Sequence, residues 1–273
     1  MIFIASDVFM EIIKVLFQDG DEIVKANGEW LNPSFVNKKG TYVSFYAHVL
    51  HHQPKDCIIY NLDSDETLYG DDFFLHNLRK ASKIYDFSPR NIKFFKKIGI
   101  NAEWKPIIWN SKFEICSILS VTNRQYDILF LGMVNARRNS VLNRIIGYEE
   151  LTGKKLPFLI VIVSGVHSDE QKSKIIQNSK MCISINQVDK CSTVASRIIP
   201  MVSNKVRILS ERSDDTELDE FYDDIVDWIP AHVLKDAEYL VKYLYDKMQN
   251  TTDKLLDERY IKLRCKGTFS PLI

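Results

Sequence analysis

Three arginines stand where a chain could put them to chemical use. In YDILFLGMVNARRNSVLNRI (126–145) an apolar run ends at Gly132, Asn135 follows, and Arg137 and Arg138 come side by side before a helical pattern. The third, Arg197, lies between Asn186, which follows one apolar run, and Ser210-Glu211 at the end of the next. These residue types suit the seating of a doubly charged anion. A guanidinium is a planar fork that meets phosphate oxygens with paired hydrogen bonds. A glycine lets backbone N–H groups approach a ligand closely, and a helix N-terminus adds a positive end. Gly132, Asn135, Arg137 or Arg138, Asn186, Arg197, Ser210 and Glu211 are therefore read as the seat of a diphosphate between the two halves of the chain. Each also has an ordinary reading. Gly132 can simply end a strand, ARRN can be a solvated turn, Asn186 a turn cap, Arg197 a solvated helix charge, and Glu211 a cap for the next helix. The stretch is not GxGxxG and lacks GKS or GKT, which weighs against dinucleotide enzymes and P-loop NTPases.

The elements that must position these residues follow from periodicity. Apolar runs YDILFL (126–131), PFLIVIVSG (157–165), MCISIN (181–186), VRILSE (206–211) and IVDWI read as strands, each followed by a helical stretch. Strands that are nearly unbroken apolar runs belong to parallel sheets covered on both faces, and their alternation with helices marks a doubly wound α/β domain. The last helix is expected over HVLKDAEYLVKYLYDKMQ, where Leu234, Ala237, Leu240, Val241, Leu244 and Met248 share one face. The first half is less regular. MIFIA, TYVSFYA, DCIIYNL, KIYDFS and NAEWKPIIWN read as strands or short extended pieces. Helices are expected near Asp7–Phe17, at Asp72–Ser82, and after Ser88, with Pro89 in its first turn and Gly99 at its exit. The predicted division is 1–118 and 119–273, each half a Rossmann-like domain.

Composition narrows the setting. With 273 residues, 45% of them hydrophobic, the chain can build one large core or two small ones. Lys+Arg and Asp+Glu balance at 36 each, so no overall field draws it to nucleic acid or an anionic membrane. Five cysteines without CxxC spacing suit reduced thiols, and no structural zinc is expected. The apolar N-terminus carries Asp7 and Glu11 and no basic leader, and no run approaches a membrane span. A cytoplasmic protein without a membrane span is expected.

The arginine-bearing stretches, together with ISIN and SRIIPMVSNKVRILSE, resemble the C-terminal lobe of GT-B glycosyltransferases, particularly the short ones of large DNA viruses, phages and bacteria. In the first half, IIYNLDSD and LRKASKIYDFSPRNIKFFKKIGI resemble the strand-end "NLE" and "DyS-xx-Ni" segments of that group. The resemblance spans roughly residues 56–228. It implies two Rossmann-like lobes facing across a cleft, with a nucleotide sugar mainly on the second and the acceptor mainly on the first. It also implies that no metal is needed, so DSD at 63–65 reads as a turn. If the relative is viral, the compartment is the host cytoplasm. Two departures stand out: Val194 occupies the place of a carboxylate that many relatives carry before the arginine, and Gln187-Val188 replace a frequent histidine.

An inverting transferase needs a base for the acceptor hydroxyl. Asp7, Asp63 and His48, each following a strand of the first half, are the candidates; a retaining enzyme would need none. Tyr42, Phe45, Tyr46 and Tyr60 could stack on a sugar, but alternating strand aromatics more often belong to a core. The expected co-substrate is a UDP- or GDP-sugar, the acceptor a glycan or other hydroxyl, with nucleic acid unexpected. An inactive binding module in a glycan-assembly complex is the alternative.

Overall fold

The computed structural model describes residues 2–5, 12, 15, 16, 18, 21–25, 41–45, 56–62, 69–114, 117–165 and 169–270. The chain divides into two compact units, Met1–Ile107 with Phe269–Ile273, and Ile108–Thr268.

The amino-terminal unit is built on six parallel strands: β1 (Ile2–Ala5), β2 (Glu22–Lys25), β3 (Tyr42–Ser44), β4 (Ile58–Asn61), β5 (Lys83–Asp86) and β6 (Glu103–Trp104), ordered β2-β1-β3-β4-β5-β6. Strand β2 escapes the sequence reading because EIVK is only four residues long and charged at both ends, yet it pairs with β1 in register Ile2↔Glu22. Helix α1 (Asp72–Lys80) starts at Asp71, whose carboxylate accepts from the N–H of Phe73 at 2.8 Å. Helix α2 (Pro89–Lys97) starts as expected at Ser88, which accepts from Asn91 N, and is followed by Gly99 at φ +76°. Both helices bury aromatic residues in one core, where the rings of Phe74 and Phe95 lie 6.4 Å apart. Tyr42, Phe45 and Tyr60 are buried and so belong to the core, not to a sugar platform; Tyr46 lies outside the described residues. The Tyr60 ring packs 5.9 Å from Phe269, which returns to this unit from the far end of the chain.

The second unit holds β7 (Tyr126–Leu131), β8 (Ile160–Val163), β9 (Ser179–Ser184), β10 (Arg207–Glu211) and β11 (Val226–Ile229), all parallel and ordered β11-β10-β9-β7-β8. Between them run α3 (Ala136–Ile146), α4 (Tyr148–Thr152), α5 (Asp169–Gln177), α6 (Ala195–Ser203) and α7 (Thr216–Phe221), followed by α8 (Ala237–Gln249) and α9 (Asp253–Cys265). The helix expected from His232 begins later. Val233–Lys235 form a 3-10 turn, and Asp236 caps α8 by accepting from Tyr239 N at 2.9 Å. A side chain that competes for backbone donors breaks a pattern that hydrophobic periodicity alone would carry through. Leu240, Val241 and Leu244 of α8 pack on Ile128, Phe130, Ile183 and Leu209 of the sheet. Asp227 on β11 ties the last two helices to β10, meeting Arg207 at 2.8 Å, Lys247 at 2.8 Å and Arg259 at 2.6 Å. Burial alone would raise the Asp227 carboxyl, but the hydrogen bond from Arg207 and the charge of Arg259 hold it below the usual range.

In both sheets the strand order reverses beside the first strand, between β1 and β3 and between β7 and β9. Ligands of open α/β sheets bind outside the carboxyl ends of strands at such a reversal. No helix among the described residues is long and apolar enough to cross a membrane. Of the five cysteines, Cys57, Cys182 and Cys191 are buried and Cys265 is exposed; Cys116 lies outside the described residues.

Candidate functional site

The strand reversal between β7 and β9 is where the sequence-selected residues of the second unit meet. Gly132 follows β7 directly at φ +146°, and its N–H continues the ladder to Val163 O at 3.0 Å. A side chain here would be strained, and its Cβ would lie 2.6 Å from Nη2 of Arg197. The glycine therefore makes room for a guanidinium. That differs from the sequence expectation, in which the missing side chain freed a backbone N–H for a ligand; the ladder has already taken that N–H.

The three arginines part company. Arg137, in the first turn of α3, is paired: Nη1 and Nη2 each donate to the Glu211 carboxylate at 2.8 Å, and Nε donates to Asp189 at 2.7 Å. The hydrogen bond to Glu211 raises the Arg137 pKa. Glu211 also accepts from Asn186 N at 2.5 Å, so one carboxylate fastens the end of β10 to the turn after β9 and to α3. Arg138, one residue on and about 100° around the helix, is 3% exposed and donates to Ile185 O at 2.9 Å and Met133 O at 2.8 Å. Arg197 reaches from α6 across the strand ends. Its Nη1 donates to Ser184 Oγ at 3.2 Å, and the guanidinium lies 5.9 Å from the Phe130 ring. Neither Arg138 nor Arg197 meets a carboxylate among the described residues. Burial, and then the charge of Arg197, pull Arg138 down to about 10. Burial likewise lowers Arg197. Two guanidiniums held out of water, neither in direct contact with a carboxylate among the described residues, form a place where an anion is stabilised.

The remaining members frame this place. Asn135 caps α3, accepting from Arg138 N at 3.0 Å, and donates to Gln187 O at 2.6 Å. Asn186 is buried; its Nδ2 donates to Arg212 O, and its Oδ1 has no partner. Ser210 is buried and donates to Glu211 O, which turns its hydroxyl into the backbone. The run before α6 is fixed by Ser192 on Asp215 and Thr193 on Asp219, and it ends at Val194, the N-cap of α6, which supplies no capping hydrogen bond. Asp7, Asp63 and His48 lie outside the described residues. Strands β1 and β3, from which the chain runs on to Asp7 and His48, are neighbours paired Ile4↔Ser44.

A second polar cluster closes two strands of the amino-terminal unit. Asn61 and Asp86 end β4 and β5 side by side, and Asn61 Nδ2 donates to Asp86 at 2.7 Å. The same carboxylate accepts from Ser88 N at 2.7 Å and from Asn91 Nδ2 at 3.0 and 3.2 Å, and it is fully buried. Of these residues only Ser88, as a helix cap, has a role that local sequence reveals. Only the strand register brings Asn61 to Asp86, 25 residues on. Ser184 and Asp189 were missed as well, being ordinary polar residues until Arg197 and Arg137 reach them.

No family model matches the chain, and no curated protein matches it. Among solved structures, an alpha-glucosyltransferase in complex with UDP is 10% identical, covering 98% of this chain and 95% of its own at a TM-score of 0.55. An alpha-glucosyltransferase in complex with UDP and a 13-mer DNA containing a HMU base is 9% identical, covering 99% and 95% at 0.60. WaaG, a glycosyltransferase involved in lipopolysaccharide biosynthesis, is 9% identical, covering 98% and 96% at 0.56. At such identities the likeness is one of fold. The chain has the GT-B fold of these glycosyltransferases, an α/β architecture of two parallel-sheet units.

Proposed function

We propose that the protein is a glycosyltransferase. It moves a sugar from a nucleotide diphosphate sugar, UDP- or GDP-linked, to a hydroxyl acceptor, and it needs no metal to do so. The observation that carries this reading is the pair Arg138 and Arg197, two guanidiniums that meet no carboxylate among the described residues, at the strand reversal of a GT-B unit. As the sugar leaves, negative charge grows on the diphosphate, and fixed cationic donors in a partly dry site stabilise that charge. Gly132 keeps Arg197 close to the strand ends, and Arg137 and Glu211 hold the β9 and β10 ends in register. Asp7, Asp63 and His48 remain the candidate bases for an inverting reaction.

The acceptor is left as a hydroxyl on a glycan or another molecule. Nucleic acid was unexpected on overall charge, but that expectation finds no support: one neighbour is described with DNA, another with lipopolysaccharide biosynthesis. A second reading, a binding module without turnover, draws on Val194, which puts no polar group at the N-cap of α6.

Melting of the protein with UDP, GDP and pyrophosphate tests the seat, and release of sugar from UDP- and GDP-sugars tests turnover. Ligand at a hundred times its Kd should stabilise by about 2.7 kcal/mol. A melting curve unmoved by millimolar amounts of every nucleoside diphosphate sinks both readings. A shift without turnover across a broad acceptor panel selects the binding module.

A further inference from the structure

The even overall charge hides a strongly uneven stretch. Between residues 79 and 105 stand eight Lys or Arg and only two acids, Asp86 and Glu103. Both acids are already engaged: Asp86 is buried among Asn61, Ser88 and Asn91, and Glu103 pairs with Lys83 at 3.2 Å. Helices α1 and α2 connect successive neighbouring parallel strands, β4 to β5 to β6, and right-handed crossovers in one direction place them on one face of the sheet. The contact of Phe74 with Phe95 shows them packed side by side. Their last turns therefore finish at the same edge. Arg79 and Lys80 end α1, Lys96 and Lys97 end α2, and all four are exposed without an ion pair among the described residues. Lys93, also exposed, continues the α2 stripe at i, i+3, i+4 spacing.

We infer that this edge of the amino-terminal unit is a docking surface for the phosphodiester backbone of nucleic acid. Cations in a last turn complement the helix dipole, which accounts for one helix end. It does not account for two adjacent ends plus Lys93, five cations against, among the described residues, the single exposed carboxylate of Asp56 before β4, with Asp86 and Glu103 already engaged. Charge complementarity selects a polyanion, and the scarcity of exposed apolar side chains among the described residues selects among polyanions. A lipid surface is held by basic residues together with inserted apolar side chains. Here Phe95 is buried, and Trp104 is the one large hydrophobic residue exposed among the described residues of the unit. A nucleic acid strand asks only for Lys and Arg in water. This surface lies at the amino ends of β5 and β6, whereas the diphosphate seat lies at carboxyl ends in the other unit, so the inference does not rest on the transferase reading.

The test is fluorescence anisotropy of the full chain with labelled duplex and single-stranded DNA over a salt series. A quadruple variant (Arg79→Ala, Lys80→Ala, Lys96→Ala, Lys97→Ala) is compared with a charge-matched control, Lys155→Ala, Lys242→Ala, Lys254→Ala and Lys262→Ala, with melting curves showing that both fold. Binding should weaken at least about tenfold in the first variant and little in the second. The slope of log K against log salt should flatten by about 3.6 for duplex, or about 2.8 for a single strand. Equal losses in both variants, unchanged binding in the first, or no binding by the parent at low salt overturns the inference. So does tighter binding to phosphatidylglycerol vesicles than to either DNA. The response to nucleoside diphosphates is read separately and should be the same in all three proteins.

Discussion

Two clusters of polar residues close strands of the two sheets, and they are filled in opposite ways. In the amino-terminal unit, one buried carboxylate, Asp86, is surrounded by donors from Asn61, Ser88 and Asn91. In the second unit, two guanidiniums, Arg138 and Arg197, share a strand reversal with backbone carbonyls, a serine hydroxyl and a ring. The first is complete as it stands, as a buried charge must be when its task is structural. In the second, no carboxylate among the described residues meets either guanidinium. Arginines elsewhere in the same unit, Arg207 and Arg259, have theirs in Asp227. The difference therefore marks the site and not the unit.

The contrast can be broken by substitution, and the largest expected effect is at Arg197. Arg197→Ala should cut transfer about 10²–10³-fold, as loss of one transition-state donor does, while the ligand-free melting temperature holds or rises because a cation facing Arg138 is gone. A ligand-free protein that melts several degrees lower would place Arg197 with Arg207 as a structural residue. Asp86→Ala should do the reverse. It strands the buried amide donors of Asn61 and Asn91 at a cost of about 3 kcal/mol, seen as a melting temperature lower by roughly 6–12 °C, with the nucleotide-induced shift retained.

Asp227 gives an effect of intermediate size that depends on pH. Its folded-state carboxyl sits below the unfolded value near 4, so its contribution is present above about pH 4 and lost as the pH falls further. On the order of 2 kcal/mol should disappear on that acid limb. Asp227→Asn should be less stable than the parent at neutral pH and converge on it in acid; a constant gap between the two curves would contradict this. Smallest is Gly132→Ala, where a positive φ and the contact with Arg197 should cost about 1–2 kcal/mol. Its sharper signature is loss of nucleotide binding through a displaced guanidinium. Normal binding by the alanine protein would show that Arg197 need not lie against the strand end.

Much of this was legible beforehand. The strands of the second unit were visible as unbroken apolar runs, and Ser88, Pro89 and Gly99 marked α2 because cap chemistry is local. Strand β2 was not legible, since four residues bounded by charges carry no period. Arg137 and Arg138 were marked together but could not be told apart. Neighbours on a helix point about 100° apart, and both are equally polar in sequence, so only packing sends one to Glu211 and the other among carbonyls.

The amino-acid order alone determined the two alternating α/β halves, the Ser88 cap and the residues gathered at strand ends, because periodicity and backbone preference act over a few positions. Tertiary structure alone decided which arginines would find a carboxylate. Asp189 lies 52 residues from Arg137, Glu211 lies 74, and Ser184 lies 13 from Arg197. Electrostatic pairing depends on distance in space, and strand order sets that distance.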